Sequence, residues 1–187
     1  MKLLKDQVNI KNLSLPIILL ILAVNPYTEI MEFKYEWLFM LSHYLLYISG
    51  FIIAYKILRG EILYVLPSIV IATFWHIPLF FNLASAYVDW RIGNDVTLFL
   101  AGILGGLSVN KFSYALKVFL LILWMSADSV LAVLFLVEFP LYSNAAYTFS
   151  PYAPTQEILT GIVMFTVMMI IFVYVIVKML RGMFKIF

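Results

Sequence analysis

Apolar runs of about twenty residues, separated by short polar or proline-containing breaks, recur along the whole chain. Leu13 to Val24 is apolar and stops at Asn25-Pro26, which predicts a short first helix. Tyr27 to Glu36 reads as a polar link carrying Glu29, Glu32, Lys34 and Glu36, and a second span follows from Trp37 to Leu58. Lys56, Arg59 and Gly60 make a basic turn before a third span, Ile62 to Asn82, that contains Pro67 and Pro78. Pro78 cannot donate to the carbonyl of Phe74, so a kink is expected beside His76. Ser85 to Asn94 reads as a loop and Val96 to Val109 as a short fourth span. Gly102 and Gly106 stand four apart in it, a spacing that lets a neighbouring helix come close. Tyr114 to Phe139 and Ile158 to Leu180 are the fifth and sixth spans, joined by an aromatic loop over 140–157.

Runs of this length match the roughly 20 residues that cross a bilayer as a helix, and the strand alternation of an outer-membrane barrel is absent. The expected fold is all-α, one six-span domain over 1–187 with a polar arm at 1–12. Composition agrees, since 65% hydrophobic residues and 12% charged residues leave too little polar surface for a soluble domain. No small-residue cleavage site follows the arm, so it is read as retained. The net charge of +2 gives no reason to expect a nucleic-acid partner.

Charge sorting orients the spans. Lys2, Lys5, Lys11, Lys56, Arg59, Lys111, Lys117, Lys178, Arg181 and Lys185 fall on one face of the six-span arrangement, and Lys34 and Arg91 on the other. Both termini are therefore expected in the cytoplasm, with the chain in the cell membrane.

Only two histidines occur, and both lie in apolar stretches. Trp37 and Asn82 mark the outer ends of the second and third spans. His43 and His76 each lie six residues from those ends, so antiparallel helices bring both imidazoles to about 9 Å below the outer face. Met40, three residues before His43, shares its helical face. Two imidazoles and a thioether suit a cuprous ion, and with no cysteine in the chain a thiolate site is excluded. Asp95 is read as a carboxylate at the start of the fourth span, stabilised there by the helix dipole and also within possible reach of the histidines as a third ligand. Asp128, about 16 Å below the outer end of its span, is expected to be a buried clasp with a polar neighbour, since no file of ionisable groups continues inward from it. Nucleotide loops, nucleophile elbows and zinc-protease pairs are missing, so an enzyme is not expected.

Phe39-Met40-Leu41-Ser42-His43, Trp75-His76-Ile77-Pro78, Asn94-Asp95 before Leu98-Phe99-Leu100-Ala101-Gly102, Pro140-Leu141-Tyr142 and Gln156-Glu157-Ile158-Leu159-Thr160-Gly161 together carry a resemblance. From Trp37 onward the chain resembles the CtaG-like family of cytochrome oxidase assembly factors, and also small archaeal membrane proteins of the same plan. The resemblance implies an outward-facing factor that brings copper to a respiratory oxidase, with Phe39 and Asp95 standing where the family has further histidines. Three functions follow as expectations: copper delivery or assembly of a terminal oxidase through His43 and His76; an electron-transfer or accessory subunit of a respiratory complex with the same histidines as axial haem b ligands; and a structural subunit whose polar residues fasten helices.

Overall fold

In the computed structural model, which describes the backbone of residues 1–184 and the side chains of residues 1–178, the chain is about 81% helical. Eight helices follow one another: α1 (Ile10–Val24), α2 (Pro26–Glu32), α3 (Glu36–Ile57), α4 (Val65–Trp75), α5 (Pro78–Ala86), α6 (Val88–Ser108), α7 (Tyr114–Leu136) and α8 (Glu157–Phe184). Local chemistry sets their starts. Asn9 accepts from the amide of Asn12 before α1, Asn25 from those of Tyr27 and Thr28 before α2, and Ser113 from that of Leu116 before α7. Pro26 and Pro78 occupy first-turn positions of α2 and α5, where no amide hydrogen is needed.

The four helices α3, α6, α7 and α8 are long and apolar enough to cross a membrane. The pairs α1 with α2 and α4 with α5, bent by 51° and 71°, raise the number to six if each pair is one span. The chain is thus an all-α membrane protein with four to six candidate spans, and the apolar side chains exposed along α1, α7 and α8 are the surface lipid would cover.

Helix α3 is the centre of the packing, touching α1, α6 and α8. Its closest neighbour is α6, because glycines on both helices let the backbones meet. A Cβ on Gly50 would run into the Phe99 carbonyl, one on Gly102 into the Tyr47 carbonyl, and one on Gly106 into the Phe51 carbonyl. Gly102 and Gly106 are therefore spent inside the protein and form no outward face for a partner. Helix α4 packs on α6 instead of forming a close hairpin with α3. Tyr47 of α3 still reaches Ser68 of α4, 2.9 Å away, and Ser68 donates to the Ala101 carbonyl of α6.

Two ends can be told apart. At one, β1 (Lys2–Leu3) pairs antiparallel with β2 (Leu58–Arg59), and the Gly60 amide donates to the Leu107 carbonyl. The polar arm is thus tied down by a short strand. At the other end, Gln156 accepts from the Glu36 amide and donates to the Lys34 carbonyl. Lys178 lies among the described side chains; Arg181 and Lys185, counted in the charge sorting, lie outside them.

Three sequence expectations change. The polar link after Asn25 contains α2, and its Glu32 is 1% exposed. The stretch expected as a loop over 85–94 is helical from Val88, because α6 starts eight residues before Val96 with Asp89 as its first-turn carboxylate. Asp95 consequently lies well inside α6 and not at its start. The kink beside His76 does form, and the Phe74 carbonyl finds a replacement donor in the Ile77 amide at 3.2 Å.

The glycine contacts yield a stability prediction. Gly102→Ala should destabilise the protein by about 1–3 kcal/mol in detergent unfolding, as overpacking does. Gly93→Ala, whose added Cβ would sit 3.9 Å from Trp75, should be tolerated.

Candidate functional site

The motif Trp75-His76-Ile77-Pro78 builds the bend between α4 and α5. The Trp75 indole donates to Thr97 at 2.7 Å, fixing the end of α4 to α6. His76 caps α4, and its Nδ1 lies 2.7 Å from the Ala72 carbonyl. A carbonyl only accepts, so this nitrogen carries a hydrogen, and in the neutral ring the lone pair is on Nε2. Pro78 then opens α5.

His43, from the middle of α3, meets His76 across this bend with ring centres 5.6 Å apart. Its ring is packed between Phe39 at 4.5 Å and Phe81 at 5.8 Å and is 3% exposed. Met40, fully buried, and His76 border a cavity of about 10 Å³ together with Phe81, Asn82, Phe135 and Tyr142. That is room for one water-sized group.

Polar satisfaction around the pair is uneven. Six buried side-chain nitrogen or oxygen atoms among the described residues lack a hydrogen-bond partner, and five belong to His43, Asn82 and Asn94. Asn82 borders the cavity, and Asn94 of α6 stands beside His43. Buried polar groups are ordinarily paired, and here His43 and Asn94 have only each other within reach, which leaves one His43 nitrogen and the Asn82 oxygen without a protein partner.

Just outside the pair lies the opposite case. Arg91, 1% exposed, donates to Glu32 at 2.9 Å and to the carbonyls of Ala84 and Ser85 at 3.2 Å each. Its guanidinium lies over Phe33 at 3.9 Å and Phe39 at 4.4 Å. Ser42 donates to the Glu32 carboxylate, and Tyr152 of the loop over 140–157 donates to the Glu32 backbone carbonyl. A second buried set joins Glu36 to Asn144 at 3.0 Å and to Thr160 at 3.1 Å, while Glu157 accepts from Ser143 at 2.9 Å and from the Asn144 amide at 2.7 Å. The loop over 140–157 is held over the histidines by these bonds.

The expected site residues divide accordingly. His43, His76 and Met40 come together. Asp95 does not join them: it lies beside Glu29 and near Arg91, and no group of three His, Asp or Glu side chains among the described residues is arranged to hold a metal. Asp128, 6% exposed, accepts from the Tyr44 hydroxyl at 2.6 Å, a clasp between α7 and α3 of the kind expected. Glu32 and Glu36, expected in a polar link, and Arg91, expected on the face opposite most of the basic residues, are buried, as is Glu157. One available signal was the spacing of Glu29, Glu32 and Glu36, three and then four apart, which repeats at the helical period. Nothing local marks Asn144 or Glu157.

The site can be tested against the two groups expected there. With metal–nitrogen bonds of about 2.0 Å, two imidazoles on one ion have their centres roughly 5 to 6 Å apart. The observed 5.6 Å falls in that window, and the free Nε2 of His76 and the unpartnered nitrogens of His43 are suitable donors. About 10 Å³ is open beside His76 and Met40, against the several hundred Å³ that a bound haem b macrocycle fills.

Residues 14–182 match the family described as Protein of unknown function (DUF1404). The chain belongs to this family. No curated protein and no solved structure matches it. The match runs from within α1 through nearly all of α8, so the histidine bend, the ion pair and the loop over 140–157 of this DUF1404 protein all lie within it.

The buried ion pair gives the next expected result. Glu32→Met or Arg91→Met alone should cost about 3–5 kcal/mol by stranding a charge, and the double variant should cost less than either single one. A double-mutant cycle by detergent unfolding measures this, and simple additivity would contradict it.

Proposed function

We propose that this protein is a six-span protein of the cell membrane that carries a cuprous ion between His43 and His76 near its outer face, and that it acts in copper delivery to, or assembly of, a terminal respiratory oxidase. It is a carrier and not an enzyme. The observation that carries the reading is two imidazoles whose ring centres lie 5.6 Å apart, each with a nitrogen left for a ligand. Copper is cargo here. Two neutral nitrogens and the Met40 thioether are soft donors that hold a cuprous ion without the tight grip of thiolates, as release to a partner requires.

The resemblance to the CtaG-like assembly factors supports the same reading through Trp75-His76-Ile77-Pro78. Phe39, which stands where that family has a further histidine, lies against His43 at 4.5 Å, so the position faces the pair while contributing an apolar ring. The topology rests on counting each bent helix pair as one span. With that count, the end bearing Lys2, Lys56, Arg59 and Lys111 is cytoplasmic, and the loop over 140–157 is outside.

Titration of the purified protein with cuprous ion should give one ion per chain and no Soret band. His43→Ala and His76→Ala should each weaken binding at least about tenfold, since each removes one of the few ligands, and Met40→Ala should weaken it less. Sharp haem b bands lost in either histidine variant would overturn the copper assignment. A deletion strain should retain the oxidase polypeptides but leave them short of copper; full occupancy together with stoichiometric copurification would point to a structural subunit instead.

Topology is checked separately. Cysteines placed at Lys111 and at Tyr147 should label from opposite sides of the membrane, and labelling from one side would sink the six-span arrangement.

A further inference from the structure

His43 and Asn94 share an unusual condition. The histidine is 3% exposed and the asparagine 0%, they meet between α3 and α6 within hydrogen-bonding reach of each other, and none of their four side-chain polar atoms has a partner elsewhere. A neutral imidazole carries one N–H and one lone pair, and which nitrogen holds which is set by the hydrogen bond the ring makes. For His76 the Ala72 carbonyl settles the matter, leaving the lone pair on Nε2. His43 has no such backbone partner. Its other ring neighbours, Phe39 and Phe81, offer aromatic faces, so Asn94 is the polar side chain able to direct it.

We infer that Asn94 is the positioning residue of the histidine pair: its amide oxygen accepts the N–H of His43, holds that ring in one tautomer, and leaves the lone pair of the other nitrogen for the ion shared with His76. The competing arrangement is a direct bond from the His43 N–H to His76 Nε2. That bond would consume the lone pair the ion needs, and it has no use for Asn94. An amide also suits the place chemically. Its oxygen accepts a hydrogen bond from a ring N–H. Metal-binding histidines commonly have their second nitrogen held by such an outer partner, whose loss weakens the site without removing a ligand.

This inference rests on the copper reading for its affinity measurement but not for its tautomer measurement, and the two are made on the same full-length protein. With isotope-labelled histidine in detergent micelles, ring-nitrogen chemical shifts report each tautomer, and two histidines give a spectrum simple enough to assign through His76→Ala. In metal-free wild type, His43 should show a single neutral tautomer. Asn94→Leu should convert it to a mixture while the His76 signals stay in place, and cuprous affinity, read by competition with a coloured chelator, should fall about 10- to 100-fold. Asn94→Asp, which keeps the acceptor oxygen and drops the amide donor, should retain both the tautomer and the affinity. It also provides the test should Asn94→Leu fail to fold. An unchanged His43 tautomer in Asn94→Leu, a scalar coupling between the two imidazoles showing their direct bond, or loss of the single tautomer in Asn94→Asp would overturn the inference. Wild type that takes up no copper while the tautomer results hold would overturn the copper reading and leave Asn94 in its role.

Discussion

A guanidinium and a carboxylate removed from water each lose several kcal/mol of hydration, and only mutual contact with full hydrogen bonding makes up the loss. Arg91 and Glu32 meet that demand in the interior of this protein, and doing so determines where four helices lie. Glu32 ends α2, Ser42 on α3 donates to it, Arg91 comes from α6, and the carbonyls that take the remaining guanidinium hydrogens belong to α5. Phe39, pressed between the guanidinium and the His43 ring, passes that placement on to the histidine. The position of the histidine pair is thus a consequence of how a buried charge is satisfied one helical turn away.

The contrast between the two polar groups separates scaffold from site. Around Arg91, Glu36 and the Glu157 oxygen that faces Ser143, donors and acceptors are matched, as a permanent interior requires. Around His43, Asn82 and Asn94 they are not. The satisfied groups hold one side of this region in place, and the histidine pair lies on the other. The loop over 140–157 contributes Tyr142 to the cavity beside His76 and is anchored through Asn144 to Glu36 and through Tyr152 to Glu32.

Helix packing obeys a second, simpler constraint. Lipid does not drive apolar helices together, so close association depends on shape, and Gly50 with Gly102 and Gly106 gives α3 and α6 surfaces that backbone can approach. This makes α6 the immediate neighbour of α3 and moves α4 onto α6. The two histidine-bearing helices then meet at the α4 bend and not along a hairpin, and the 71° turn at His76 and Ile77 brings the second imidazole to the first.

What the sequence determined by itself was everything that follows from local composition. The apolar lengths set the helices and their membrane character, Asn25-Pro26 ended the first of them, Pro78 broke the third, and the two histidines and Met40 could be matched by counting along antiparallel helices. Local chemistry decides these features, because a missing amide hydrogen or a run of apolar side chains acts wherever the chain goes. Only the tertiary structure decided which polar residues stay at the surface. Glu32, Glu36, Glu157 and Arg91 look like ordinary interfacial charges, and Asn94 like the end of a loop, until α6 is seen to begin at Val88 and carry Arg91 and Asn94 inward. Whether a charge is buried depends on a partner up to 124 residues away in the chain, as Glu36 and Thr160 are, and spacing along one segment does not encode what another segment brings to meet it.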